Sequence, residues 1–394
     1  MDILVTSIVD LNKSAHNSRL HQFLKVLSDK HEILVLSIND WWKAKWDDQS
    51  EEYNKDFENS LSNIKQIYLT EKKISPILQE IYSISTVGQV FKKIEGFNFN
   101  VHFNYNSLIS GFVVANKMNS MGVNTIYDIA DDLPGMIKTS PQINKFLRPI
   151  GGFIGDLTVK KNIKISTKVT CTTNLLRDSS GIPLDKAEII PNGVDIELFK
   201  KYQSEEIKIK LGINDNFIVG YVGVLREWIN LKPLFIAMKK LNNFNIKMLI
   251  VGGGVGYEEN VRLARDCGVL KNIIFIGTIP YTQIPKYISC MDVCVIPFKI
   301  DTVAQNSLPL KLFEYMACEK PVISTKVNGI VENVGNRIMY ASNSTEYYNK
   351  IIELYKNEEL RNRMGRNGRK FVFENYNWSN ICTNLEKILI EAGD

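Results

Sequence analysis

The stretch from 307 to 323, SLPLKLFEYMACEKPVI, puts a cation, Lys311, three positions before a carboxylate, Glu314. On a helix that spacing sets both on one face. A fixed carboxylate accepts the two hydroxyl protons of a ribose diol, whereas a diphosphate calls for positive charge and for the unpaired amides at a helix start. The pair therefore has the chemistry that a nucleotide-sugar site requires. The same spacing also describes an ordinary surface ion pair, and only the surroundings choose between the two.

Those surroundings are alternating. Short β-branched runs (DILVTSIV, EILVLSI, NTIYDIAD, KVTCTT, AEIIPNG) are separated by amphipathic segments such as RLHQFLKVLSD, and after residue 200 the pattern restarts with NFIVGYVGVL, KMLIVGGGVG, NIIFIGTI, DVCVIPF and KPVISTKV. Alternation of this kind argues for parallel strands joined by crossover helices. At 394 residues the chain is long enough for two domains of roughly 200 residues each. The expected division is 1–198, 199–375 and a final helix, 376–394, crossing back to the first domain, with Pro191, Asn192 and Gly193 turning out of a buried strand just before the boundary. No repeat of 20 to 50 residues is visible. The fold class is α/β, two doubly wound Rossmann-like domains facing across a cleft, where ligands bind at the carboxyl ends of the strands.

Composition narrows the partners. The chain is 44% hydrophobic and 23% charged, as in an ordinary soluble protein. It has no apolar run near the roughly 20 residues of a membrane span, and MDILVTSIVDLN lacks the layout of a signal peptide, so a cytoplasmic location is expected. The six cysteines (171, 267, 290, 294, 318 and 382) contain no C-x-x-C pair and read as reduced core residues. Of four histidines, His16 and His21 have no cysteine nearby, and no metal site is expected. A net charge of +5 without basic arrays interleaved with aromatics argues against nucleic acid and for a phosphate or an anionic membrane surface as the acidic partner.

In this order, IIPNGVDIELF (189–199), IVGYVGVL (218–225), MLIVGGGVGYEENVRLARDCGV (248–269), IFIGTIPYTQIPKYISCMDVCVIPF (274–298) and SLPLKLFEYMACEKPVIST (307–325) resemble the retaining glycosyltransferases of the GT-B fold, family four or group 1. The resemblance is strong over 189–325 and weaker before it. It implies a nucleoside diphosphate sugar, of UDP or GDP type, bound in the second domain without a further cofactor, with Glu314 on the ribose hydroxyls and the amides of Ser307, Leu308, Pro309 and Leu310 around the phosphates. Pro309 has no N–H to donate and is counted only as part of that segment. Gly253, in the run Gly252 to Gly254, and Gly223 would permit close backbone approach, although a GGG is also just a tight βα turn. Tyr281, after Ile279 and Pro280, falls where the base is usually lined.

The departures from the family pattern matter as much. Where members carry a second glutamate eight residues before the one equivalent to Glu314, this chain has Asn306. Where they place an arginine and a lysine after the glycine equivalent to Gly223, it has Val224 and Ile229, and Arg226 and Lys232 are the expected substitutes beside Lys311. LREWIN (225–230) resembles a subgroup in which Glu-Trp replaces lysine-glycine. In the first domain the usual glycine pair gives way to Ser14, Ala15, Asn17 and Ser18, and the usual donor-touching histidine to Ala130. Its role is assigned either to Asp131 or to His102, whose bland alternative is a buried strand residue. Asp131 and Asp132 are also candidates for orienting or deprotonating the acceptor, or for capping the next helix.

The implied reaction moves a sugar to a hydroxyl of a glycan or lipid-linked acceptor, retaining and without a metal, in cell-surface polysaccharide or glycolipid synthesis. A nucleotide-sugar epimerase or hydrolase, or a binding protein without turnover, is the alternative. Lys138, Lys145, Arg148, Lys160, Lys161 and Lys164, mixed with apolar residues in 136–168, together with the segment 72–97, suit an anionic membrane presenting that acceptor; a solvated helix with a core stripe is the other reading. The tryptophans of NDWWKAKW (39–46) suit an interface or a sugar-stacking loop, and equally a place covered by the first domain.

Overall fold

The computed structural model of the chain describes residues 1–13, 18–41, 61–140, 143–300 and 305–394. Ser14, Ala15, His16 and Asn17, and the tryptophans Trp42 and Trp46, lie outside the described residues. The chain forms two compact units, Met1–Pro191 with Trp378–Asp394, and Asn192–Asn377.

The first unit is built on β1 (Asp2–Ser7), β2 (Glu32–Ser37), β3 (Lys65–Tyr68), β4 (Val101–Tyr105), β5 (Asn124–Ile129), β6 (Lys168–Cys171) and β7 (Ala187–Ile189), a parallel sheet in the order β3-β2-β1-β4-β5-β6-β7. Its central strands are buried along almost their whole length, polar residues such as His102, Asn104 and Asp128 included. The helices are α1 (Arg19–Leu27), α2 (Pro76–Lys93), α3 (Ile109–Ser120), α4 (Leu133–Thr139), α5 (Arg148–Ile165) and α6 (Asn174–Ser180). α2 and α5 each pack against α3. Ser18, one of the small residues expected to permit a close ligand approach, is the N-cap of α1, its hydroxyl accepting from the His21 amide.

The second unit holds β8 (Phe217–Val222), β9 (Ile246–Val251), β10 (Ile273–Gly277), β11 (Val293–Ile296), β12 (Val322–Ser324) and β13 (Met339–Tyr340), parallel and ordered β10-β9-β8-β11-β12-β13. Around it lie α7 (Glu205–Leu211), α8 (Lys232–Lys240), α9 (Tyr257–Asp266), α10 (Ile284–Ser289), α11 (Leu310–Ala317), α12 (Asn328–Val334), α13 (Ser344–Lys356) and α14 (Glu358–Asn375). The final helix, α15 (Trp378–Gly393), lies in the first unit against α1, where Phe23 meets Trp378 edge-on at 5.7 Å. The boundary between the units comes at Pro191/Asn192, before the one expected at 198/199. Residues 192–199 are tied into the second unit: Val194 bonds Tyr376, and the Phe199 ring lies 5.3 Å from that of Tyr281.

At the carboxyl edge of the first sheet, Arg19 is buried at the start of α1. Its guanidinium donates to Asp128 of β5 at 3.0 and 3.2 Å and to the carbonyls of Ile190 and Pro191 at 2.6 and 2.7 Å. Thr170 of β6 adds a hydroxyl to Asp128 at 2.6 Å. One buried cation thus ties α1, β5 and the exit of β7 together. All six cysteines are free thiols, and no helix of the described residues is long and apolar enough to cross a membrane.

Arg19→Ala would leave Asp128 buried and uncompensated, so it is expected to cost about 3–5 kcal/mol in urea unfolding of the first unit. Adding Asp128→Asn should restore part of that loss, and an Arg19→Ala protein as stable as the wild type would contradict this assignment.

Candidate functional site

The second sheet reverses its strand order between β8 and β11, and there the two strands pair only through Val219 with Val293 and Gly220 with Cys294. Beyond Gly220 they part, which is where a doubly wound sheet opens a crevice at its carboxyl edge. The backbone of β8 left over is satisfied by a side chain: the Tyr315 hydroxyl accepts from the Val222 amide at 2.7 Å and donates to the Val222 carbonyl at 3.2 Å. Tyr315 belongs to α11. That helix begins at Pro309 in extended conformation, buries Leu312, Phe313, Tyr315 and Met316, and ends at Cys318, followed by Glu319 at φ +59°.

On α11, Lys311 and Glu314 share a face but form no ion pair with each other. The Lys311 ammonium donates to the Tyr221 hydroxyl at 3.0 Å, which itself donates to the Val224 carbonyl at 3.1 Å. Glu314 is 8% exposed and its Oε1 accepts from the Tyr281 hydroxyl at 3.0 Å. Tyr281 opens the turn after β10 and leans on Phe199. The surface-pair reading of this spacing is thereby set aside: each charge is held by a tyrosine from a different strand end.

Loss of water dominates both ionisations. Burial lifts the Glu314 carboxyl to about 7, against the opposing pull of the Tyr281 hydrogen bond and of Lys311. Burial lowers the Lys311 ammonium to about 8, with Glu314 opposing. Groups so displaced at a sheet's switch point mark a candidate binding or catalytic site.

Gly223 follows β8 at φ +134°, and a Cβ there would run into the Lys311 ammonium. Gly252, at φ +130°, approaches the carbonyl of Gly223 so closely that a Cβ would strike it, and its amide donates to Gly277 at 2.7 Å. Gly253 faces Thr278, and its carbonyl accepts from Leu225 at 2.7 Å. The glycine run is therefore a stitched set of loops joining the ends of β8, β9 and β10, more specific than a plain βα turn. The LREWIN segment is stitched to the strand beyond: Asn230 donates to Pro297 at 2.7 Å and Lys299 to Trp228 at 2.8 Å.

Arg226, expected near the phosphates, is exposed and lies over the Trp228 ring at 5.3 Å, while Lys232 is exposed at the first position of α8. Lys311 is the cation whose charge acts on the Glu314 carboxyl. Asn306 and Ser307 lie on the approach to α11, against Gly329 at the start of α12, where a Cβ would meet the Ser307 carbonyl at 2.5 Å. The Leu308 carbonyl accepts from Asn192 at 2.9 Å. Pro309 and Leu310 form the turn and first position of α11.

In the first unit the two acids after β5 divide their roles. Asp132 caps α4, accepting from the Gly135 amide at 2.9 Å. Asp131 is exposed and makes no side-chain hydrogen bond among the described residues. Its carboxyl is nevertheless held above the usual range, chiefly because surrounding protein displaces water, with Arg19 opposing and Asp128 and Asp132 adding to the rise. His102 is corrected from a catalytic candidate to a core residue. It is the second residue of β4, at the amino end of the strand, fully buried, with ring nitrogens 2.8 Å from the Thr6 hydroxyl and 3.1 Å from that of Thr125. Desolvation pushes its pKa down to about 3, which keeps it neutral. Tyr221 and Tyr315 are site residues that the sequence reading passed over; the available signal was a tyrosine inside an otherwise apolar buried run, whose hydroxyl must find a partner. Among the described residues no group of three or more His, Cys, Asp or Glu could hold a metal ion.

Residues 203–371 match the family described as Glycosyl transferases group 1, a match lying within the second unit. A putative teichuronic acid biosynthesis glycosyltransferase of Bacillus subtilis (strain 168) is 26% identical over 174 residues, 42% of either chain. The match covers 42%, 61% and 56% of the length of the first three curated relatives, so about half of each is spanned. Among solved structures, sucrose-phosphate synthase from Thermosynechococcus elongatus superposes with a TM-score of 0.76 at 17% identity, covering 99% of this chain and 98% of that one. Anabaena Alr3699/HepE in complex with UDP does so at 0.73 and 16%, covering 99% and 100%. The chain has the GT-B fold of such enzymes.

Gly223→Ala is expected to destabilise the second unit by about 1–2 kcal/mol from its backbone conformation alone, and to displace Lys311. A crystal structure of the variant with Lys311 unmoved would refute this. The proton linkage has a definite sign. Glu314, raised from 4.5 to about 7, contributes stability fully present below 4.5 and lost as pH rises through 7. Lys311, lowered from 10.5 to about 8, contributes stability present above 10.5 and lost as pH falls through 8. The stability of Glu314→Gln relative to the wild type should therefore increase between pH 4.5 and 7 and level off above, measured by denaturant titration across that range.

Proposed function

We propose that this protein, whose fold is GT-B and whose second unit matches the group 1 glycosyl transferases, moves a sugar from a nucleoside diphosphate sugar of UDP or GDP type to a hydroxyl of a glycan or lipid-linked acceptor. The observation that carries the reading is the buried carboxylate of Glu314 and the half-buried ammonium of Lys311, each held by a tyrosine at the switch point of the second sheet. Glu314 accepts the ribose hydroxyls, the Tyr281 hydroxyl orienting its carboxylate. Lys311 and the amides of Leu310 and its neighbours at the start of α11 take the diphosphate, and Gly223 and Gly253 allow the backbone to come close. Anabaena Alr3699/HepE, one of the structural neighbours, was solved in complex with UDP, and that supports a uridine nucleotide as the first donor to test.

The chemical step breaks the bond between the sugar's anomeric carbon and the diphosphate oxygen and forms one to the acceptor oxygen, whose proton is released. Its barrier falls chiefly by stabilising the departing diphosphate and by positioning the acceptor. The half-buried Lys311 and a helix start perform the first task. Arg226 and Lys232, both exposed, are the further cations of the second unit proposed to reach the phosphates. Asp131, above the usual carboxylate range at the end of β5, orients the acceptor hydroxyl. Retention of configuration, operation without a metal, and a place in cell-surface polysaccharide synthesis form part of the proposal, the last supported by the name of the Bacillus subtilis relative.

Two measurements test the reading. Nucleotide binding should take up a proton at pH 8 and above, where Lys311 is recharged by the diphosphate, and release one at pH 7 and below, where Glu314 is driven to its ionised form. Calorimetry with UDP and GDP in buffers of different ionisation enthalpy reads both signs, and Lys311→Met should abolish the uptake alone. Glu314→Gln should weaken nucleotide binding about 10- to 100-fold, the worth of a hydrogen bond to a charged group. It should also abolish transfer from radiolabelled nucleotide sugars to membrane extract; unimpaired binding and transfer would end the proposal.

A further inference from the structure

We propose that the outer surface of the helical layer formed by α2, α3 and α5 docks on an anionic phospholipid bilayer. On α5 the exposed positions after the first turn are Phe153, Ile154 and Leu157, then Lys160, Lys161 and Lys164, successive members of one helical face. Phe153 is 62% exposed. That face is thus apolar in the first half of the helix and cationic in the second. α2 repeats the order: Ile77, Leu78, Ile81 and Ile84 are exposed, the last at 58%, and Lys92 and Lys93 follow at its end. Both helices lead into the amino ends of parallel strands, and both pack on α3, so their apolar halves lie toward the same edge of the sheet and their lysines toward the other.

Charge decides what covers this face. The single acid of α2, Glu80, turns inward, its two carboxylate oxygens each 2.8 Å from Ser110, one on the amide and one on the hydroxyl. The single acid of α5, Asp156, is neutralised by Lys138 at 2.7 Å. α3 has none. The layer therefore presents apolar residues and cations without a balancing anion. A second copy placed on it by twofold symmetry would set the lysines either against lysines or against the apolar half, and neither arrangement balances their charge. A bilayer matches both halves. Ile154 and Lys161 are separated by about 10 Å along a helix. That lets the apolar end enter the boundary between headgroups and acyl chains while the ammonium groups stay among anionic headgroups. This deepens the transfer reading by naming the surface that would meet a lipid-linked acceptor, and bilayer binding is measured without donor or acceptor, so either can fail alone.

The test is flotation of the full chain with vesicles of phosphatidylglycerol and phosphatidylcholine, compared with phosphatidylcholine alone. Binding at least tenfold stronger to the anionic vesicles is expected, weakening as salt is raised. The triple change Lys160→Glu, Lys161→Glu, Lys164→Glu should lower that binding tenfold or more. Phe153→Ser with Ile154→Ser and Ile81→Ser should lower it as well, while UDP affinity and the unfolding midpoint stay at wild-type values, which separates docking from folding. Equal binding to both vesicles, binding untouched by either set of changes, or a dimer in solution that the serine changes dissolve would each overturn the proposal.

Discussion

The second unit depends on what happens where β8 and β11 part. Parallel strands that separate leave backbone amides and carbonyls without a ladder partner, and in a buried sheet those groups must be satisfied or the fold pays their desolvation. Tyr315 answers that demand with one hydroxyl bonded to both polar groups of Val222. Because Tyr315 is held there, α11 is held there, and with it the ammonium of Lys311 and the carboxylate of Glu314. The crevice is thus a consequence of strand order, and its chemistry a consequence of which helix plugs it.

Holding two charges in such a place runs against stability. Both Glu314 and Lys311 are displaced toward their neutral forms by loss of water, and neither recovers that loss through a direct ion pair. Their partners are neutral tyrosine hydroxyls, which orient without cancelling charge. A ligand carrying vicinal hydroxyls and a diphosphate, as proposed, would supply the missing compensation. The carboxyl edge of the first sheet treats charge differently. There Arg19 and Asp128 neutralise each other in the interior and tie strands together, while Asp131 is left at the surface of the same edge. Charge serves architecture in the first case and remains available for chemistry in the second.

Much of the fold was legible in the chain, for a physical reason. Runs such as FIVGYV and VCVI are buried on both faces of a parallel sheet, so they are apolar throughout and flanked by amphipathic segments. The pairing of Lys311 with Glu314 on one face was legible too, since helical spacing is local. The position of His102 was misjudged because the strand's direction in the sheet decides which of its ends is the functional edge, and His102 falls at the amino end. Arg226 and Lys232 were near Gly223 in sequence, but which way their side chains turn is not a local property: both are exposed, while Leu225, Ile229 and Leu231 between and beside them are buried.

The sequence by itself determined the alternation of strands and helices, the helical face shared by Lys311 and Glu314, and the glycines where the backbone must turn at positive φ. These follow from interactions between residues a few positions apart. Only the tertiary structure decided that Tyr221 would hold the lysine, that Tyr281 would hold the carboxylate, and that both groups would lose their water. Those outcomes depend on which strand ends meet at the switch point, and residues far apart in the chain become neighbours only when the sheet has closed its order.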